Sequence, residues 1–130
     1  MDQKIAHITL IVKDYDEAIK FYSEKIGFKI VQDIALDEKK RWVLLAPMGA
    51  GECSLLLAKA DNEEQISRIG NQTGGRVFLF LYTDDFQRDY ENMLAKGVLF
   101  IREPINESYG TVAVFSDLYG NLWDLIEPKH

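Results

Sequence analysis

Residues 7–14 read His-Ile-Thr-Leu-Ile-Val-Lys-Asp, an apolar, β-branched run that ends in an acid. Such a run predicts a strand. Tyr15, Ile19, Tyr22 and Ile26 follow at helical spacing, and Gly27-Phe28 closes the segment. The same text recurs later. Residues 78–85 read Phe-Leu-Phe-Leu-Tyr-Thr-Asp-Asp, a helical pattern covers Phe86 to Lys96, and Gly97-Val98 follows. Asp14/Asp85, Tyr15/Phe86, Ile19/Tyr90 and Tyr22/Met93 are offset by 71 positions, and Gly27/Gly97 by 70. The second helix is therefore one residue shorter at its end. Neither copy can bury its apolar face alone, so a functional site is expected where the two copies meet.

The pattern extends from each copy in the same order. Asp14 with Glu17 has capping-box spacing, and Gly27 fits a left-handed helix stop. Strands are predicted over Phe28–Ile34, Arg41–Ala46 and Cys53–Ala58, with turns at 37–40 and 47–51. Asp61 with Glu64 is expected to start a short helix ending at Gly70. In the second copy, strands are predicted at Val77–Tyr82, Leu99–Arg102 (stopped by Pro104), Thr111–Ser116 and Leu122–Glu127, with a turn at 106–110 and a tight one at 117–121. The prediction is an α+β fold: two βαβββ modules in tandem, forming a curled mixed sheet with the helices outside. The chain is expected to be a single domain over 1–130, with modules at 1–66 and 77–130 and a Gly- and Asn-rich linker at 67–76.

Composition narrows the function. A chain of 130 residues with 47% hydrophobic content is long enough for a real core. The formal charge of −6 argues against nucleic acid or an anionic membrane as partner, because both need clustered Lys and Arg. No apolar run approaches the roughly 20 residues of a membrane helix, and no signal peptide is evident at the N-terminus. Cys53 is the one cysteine, which fits a reducing cytoplasm and an inert, strand-borne thiol. Gly49-Ala50-Gly51 lacks the context of a phosphate loop, and no Gly-x-Ser-x-Gly elbow occurs.

Residues 7–28, together with Tyr109-Gly-Thr-Val-Ala-Val-Phe-Ser-Asp-Leu-Tyr-Gly-Asn-Leu-Trp-Asp-Leu-Ile-Glu-Pro128, resemble the vicinal oxygen chelate superfamily. That superfamily contains glyoxalase I, bleomycin-resistance and fosfomycin-resistance proteins, and extradiol dioxygenases. The resemblance implies that each unit curls into half of a barrel-like groove. It also implies a homodimer whose sites combine units from two chains. It leaves the activity open, since one scaffold serves lyases, epimerases, transferases, dioxygenases and binding proteins.

Metal-using members of that superfamily place one ligand on the first and one on the last strand of each unit. Carried over by resemblance, His7 supplies the first ligand, and Asp124 stands where a glutamate is usual. The counterpart of His7 in the second unit is Phe78, or Val77 at an offset of 70. The last strand of the first unit offers Ser54, Leu55 and Leu56; Glu52 contributes only if the register slips. Two ligands fall short of the three that zinc sites use, so no cofactor is firmly implied. If a zinc, nickel, manganese or iron ion binds, His7, Asp124 and Glu52 are its candidate ligands. A metal-free alternative has Asp124 orient His7 as a general base.

Alternation places His7, Thr9 and Ile11 on one strand face, and Phe78, Phe80 and Tyr82 on the matching face of the second copy. An apolar, aromatic groove suits a small organic ligand. Thr9, Ile11, Trp42, Phe78, Phe80, Tyr82 and Tyr109 are the candidate ligand-binding residues. Trp123 alternates away from Asp124 and is expected to pack under a helix, while Arg41 and Arg102 are candidate anion contacts, with a solvated surface position as the default for each. The preferred reading is a binding protein of the bleomycin-resistance type for an apolar or aromatic compound. The alternative is a glyoxalase-like, metal-dependent lyase or isomerase using His7 and Asp124; a structural dimer module is a third class.

Overall fold

The computed structural model describes residues 1–49, 51 and 53–129. It divides into two compact units, Met1–Ile69 and Gly70–His130. Each holds one four-stranded mixed sheet and repeats the βαβββ order. The tandem-module prediction therefore holds. Among the described residues no helix is long and apolar enough to cross a membrane.

In the first unit, β1 (His7–Val12) leads into α1 (Tyr15–Lys20), then β2 (Lys29–Ala35), β3 (Arg41–Ala46), β4 (Ser54–Lys59) and α2 (Glu63–Arg68). The sheet order is β1-β4-β3-β2, with β1 parallel to β4 and the other pairs antiparallel. Asp14 caps α1 by accepting the Glu17 N–H at 2.8 Å. The helix does not stay α-helical to Ile26 as its spacing suggests. Phe21–Ile26 is a π-helical turn, and Gly27 ends it at φ 90°. The smaller angular step of a π turn keeps the consecutive rings of Phe21 and Tyr22 both in the core. Leu10, Val12, Val43, Leu45, Leu55 and Leu57 are buried with Tyr15, Ala18 and Tyr22 of the helix. The cap of α2 is Asn62 rather than Asp61: Asn62 Oδ1 accepts the Gln65 N–H, and the Asp61 N–H donates to Gln65 Oε1.

In the second unit, β5 (Val77–Tyr82) is followed by α3 (Phe86–Ala95), β6 (Leu99–Glu107), β7 (Gly110–Ser116) and β8 (Leu122–Pro128), in sheet order β5-β8-β7-β6. Asp85 accepts the Arg88 N–H, and Glu127 on β8 reaches back to accept the Phe86 N–H at 2.7 Å. Both acids meet the exposed donors of the helix start. Pro104 does not stop β6, which runs on to Glu107. It is an edge strand whose register slips between Phe100 and Arg102 and again between Arg102 and Ile105, so the missing proline N–H costs no ladder bond.

The turn before β8 is built on one carboxylate. Buried Asp117 accepts the N–H groups of Tyr119, Gly120 and Asn121 on Oδ1 and the Asn121 amide on Oδ2. Gly70 lies against this turn at φ +76°, where a Cβ would stand 1.8 Å from the Tyr119 carbonyl oxygen.

Candidate functional site: the sheet faces away from the helices

Alternation on β1, β3 and β4 sends one set of side chains to α1 and the other to the opposite face. His7, Thr9 and Ile11 lie on that opposite face, paired with Ser54, Leu56 and Ala58, and Trp42 and Leu44 extend it onto β3. The His7 ring meets Trp42 edge-on at 5.9 Å. Trp42 Nε1 donates to Gln32 Oε1 at 2.8 Å. The β3–β4 ladder ends at Val43/Leu57, and beyond it the strands part. Tyr15 enters the gap, where its hydroxyl accepts the Arg41 N–H at 3.2 Å. The cleft that remains measures about 1110 Å³; Trp42, Leu56, Ala58, Tyr15 and the exposed Leu36 form its apolar part, and the charged turn at 37–40 with Arg41, Lys59 and Asp61 lines the rest.

Arg41 was a candidate anion contact; its guanidinium is instead committed within the unit. It donates twice to Asp33 and once to Asp16, and stands 5.2 Å from the centre of the Tyr15 ring. Those two carboxylates push its pKa further up.

In the second unit the corresponding face carries two rows. Phe80, Asp124, Val114 and Arg102 run side by side across β5, β8, β7 and β6. Tyr82, Ile126, Val112 and Ile105 form the next row. Phe80 and Tyr82 are 61% and 67% exposed, whereas Asp124 is 8% exposed. Its Oδ1 is buried and has no hydrogen-bond partner. Burial pushes the Asp124 carboxyl up, and the Arg102 charge pulls it partly back. Among the described residues no ion pair joins the two.

The expected face of Phe78, Phe80 and Tyr82 breaks at Phe78. The register shifts between Val77 and Leu79, and the Phe78 ring turns edge-on to Trp123 at 6.3 Å. Trp123 itself packs as expected on the helix side. It stacks on Phe115, from which ring contacts run through Phe100 to Tyr90 and Phe86 of α3. Tyr109 is exposed in the two-residue turn between β6 and β7. Gln32, the partner of Trp42, carries no signal in the sequence, because the slip at Val31 is what turns it to this face.

The sequence profile of the glyoxalase/bleomycin resistance protein/dioxygenase superfamily matches residues 4–125. The chain belongs to this superfamily. It is 56% identical to an uncharacterized protein of Shewanella frigidimarina (strain NCIMB 400), over 98% of this chain and 95% of that one. Among solved structures it resembles UcmS2, with a TM-score of 0.84 and 31% identity over 98% of this chain and 99% of that one. It also resembles TnmS3, described as an antibiotic binding protein from Streptomyces sp. CB03234, with a TM-score of 0.78 and 29% identity over 98% of each chain.

Within either unit the described residues do not assemble a site for a divalent ion of the kind some members of the glyoxalase/bleomycin resistance superfamily use. In the first unit His7 neighbours Ser54, and the next cross-strand pair on its face is Thr9/Leu56. In the second unit the cross-strand neighbours of Asp124 are Phe80 and Val114. Each face thus supplies a single usual donor, and Glu52 lies outside the described residues. Among the described residues no three His, Cys, Asp or Glu side chains gather to hold an ion.

Proposed function

We propose that this protein binds a small apolar or aromatic compound on the sheet faces away from its helices. The observation that carries the reading is the second-unit face on which Phe80 and Tyr82, in adjacent rows, stand well exposed near a buried carboxylate whose Oδ1 has no hydrogen-bond partner. Exposed aromatic side chains clustered around few polar groups favour an organic ligand. The apolar part of the cleft at Trp42 supports the same chemistry in the first unit. The likeness to TnmS3, an antibiotic binding protein, supports the class of ligand. In this reading Thr9, Ile11 and Trp42 are the contact residues on the first unit's face, and Phe80, Tyr82 and Tyr109 those on the second unit's, while Phe78 packs on Trp123.

The proposal includes a homodimer in the cytoplasm. Edge strands β2 and β6 expose Ile30, Val31, Ile34, Leu99, Ile101 and Ile105, which suit coverage by a second copy. Native mass spectrometry of protein purified without added metal tests the reading as a whole. A dimer that retains planar aromatic compounds after desalting is the expected result. Stoichiometric zinc or nickel, lost in His7→Ala, would instead support the metal-dependent lyase.

A further inference from the structure

Asp124 is an anomaly in its own strand. Its neighbours Leu125 and Ile126 are buried and apolar, and its cross-strand partners are Phe80 and Val114. An acid there leaves Oδ1 buried without a partner, a configuration that destabilises the native chain relative to an apolar side chain of similar size. Three groups could have satisfied it. Arg102 is exposed at the far end of the row and makes no ion pair with it among the described residues. A metal ion finds no second usual donor beside it on this face. A lone water would find only this one acceptor among the apolar cross-strand neighbours, fewer than the two to four partners that hold a buried water.

We infer that Asp124 is the recognition residue for a protonated amine, or an equivalent N–H donor, carried by an aromatic ligand. The inference rests on the small-molecule reading above and deepens it by naming the ligand's polar group. The donor would meet the carboxylate once its orphan oxygen turns toward the open side of the sheet, while the exposed side chains of Phe80 and Tyr82 on the same side take the ring and the cation. A formal charge of −6 draws a cationic compound toward the protein and repels an anionic one.

The test uses a matched pair of probes, naphthylmethylammonium and ethylnaphthalene, which share ring and shape and differ in the charged donor. Both are titrated by calorimetry against the wild type, Asp124→Asn and Asp124→Leu. The ammonium should bind the wild type about tenfold more tightly than its apolar twin, the scale of one charge-assisted hydrogen bond. That preference should vanish in both variants, while ethylnaphthalene binds all three alike. Asp124→Leu should also melt at a higher temperature than the wild type. Equal affinity of the two probes for the wild type overturns the inference and leaves the small-molecule reading standing; so does a preference that survives in Asp124→Asn. Binding of neither probe overturns both. Zinc or nickel held by the wild type and lost in Asp124→Asn overturns the inference in favour of a metal.

Discussion

Arg41 and Asp33 are joined by two hydrogen bonds, Nε to Oδ1 at 3.2 Å and Nη2 to Oδ2 at 2.7 Å, and the same guanidinium donates to Asp16 on the helix. One side chain therefore ties β2, β3 and α1 together. Arg41→Ala should lower unfolding free energy by about 1 kcal/mol, the range of a partly exposed ion pair with an added ring contact. Urea denaturation in low and high salt checks this. The gap between variant and wild type should narrow at high salt, and a gap indifferent to salt would count against the ion pairs.

The two tryptophans report on different places. Trp42 lies on the face away from α1, and Trp123 is buried at 3% exposure among Phe78, Phe115 and Leu125. Acrylamide should quench the Trp123→Phe variant, whose emission comes from Trp42, several-fold more strongly than the Trp42→Phe variant. Ligand-induced changes in emission should follow Trp42. Equal quenching of the two variants would contradict the burial of Trp123.

Gly70→Ala should cost more than about 2 kcal/mol. Its φ of +76° disfavours any side chain, and the Cβ would strike the Tyr119 carbonyl, a backbone atom fixed by the Asp117 turn. The variant is expected to melt well below the wild type, and an unchanged midpoint would show that the turn has room to yield.

The capped helices and the repeat were legible because their signals are local: an acid three residues before the donor it caps, a glycine where φ is positive. The strand faces were legible only between bulges. A single inserted residue at Val31, Phe78 or Ile101 reverses the alternation and leaves no mark in composition. Hence Phe80 and Tyr82 share one strand face as the alternation predicts, while Phe78, at the bulge, leaves it. The ion pairs of Arg41 were not legible for another reason. Its two carboxylates, Asp16 and Asp33, are distant in sequence and converge only once the hairpin and helix have packed.

Asp124 makes stability depend on pH in a defined direction. Burial raises its pKa from the ordinary 3.8, so the native state holds the proton more tightly than the unfolded chain does. Protonation therefore favours folding. The cost of the buried carboxylate is absent below the ordinary value, grows as pH climbs through the raised native value, and is fully present above it. Asp124→Asn carries no such charge. The variant should gain on the wild type as pH rises above the ordinary 3.8, with the difference levelling off above the raised native value. Thermal unfolding of both proteins across a series of pH values measures it. Saturating naphthylmethylammonium should shrink the difference at neutral pH, because a bound cation offsets the charge that burial penalises. A difference that is flat with pH, or that favours the wild type as pH rises, would mean that the Asp124 carboxylate is already satisfied in the native protein.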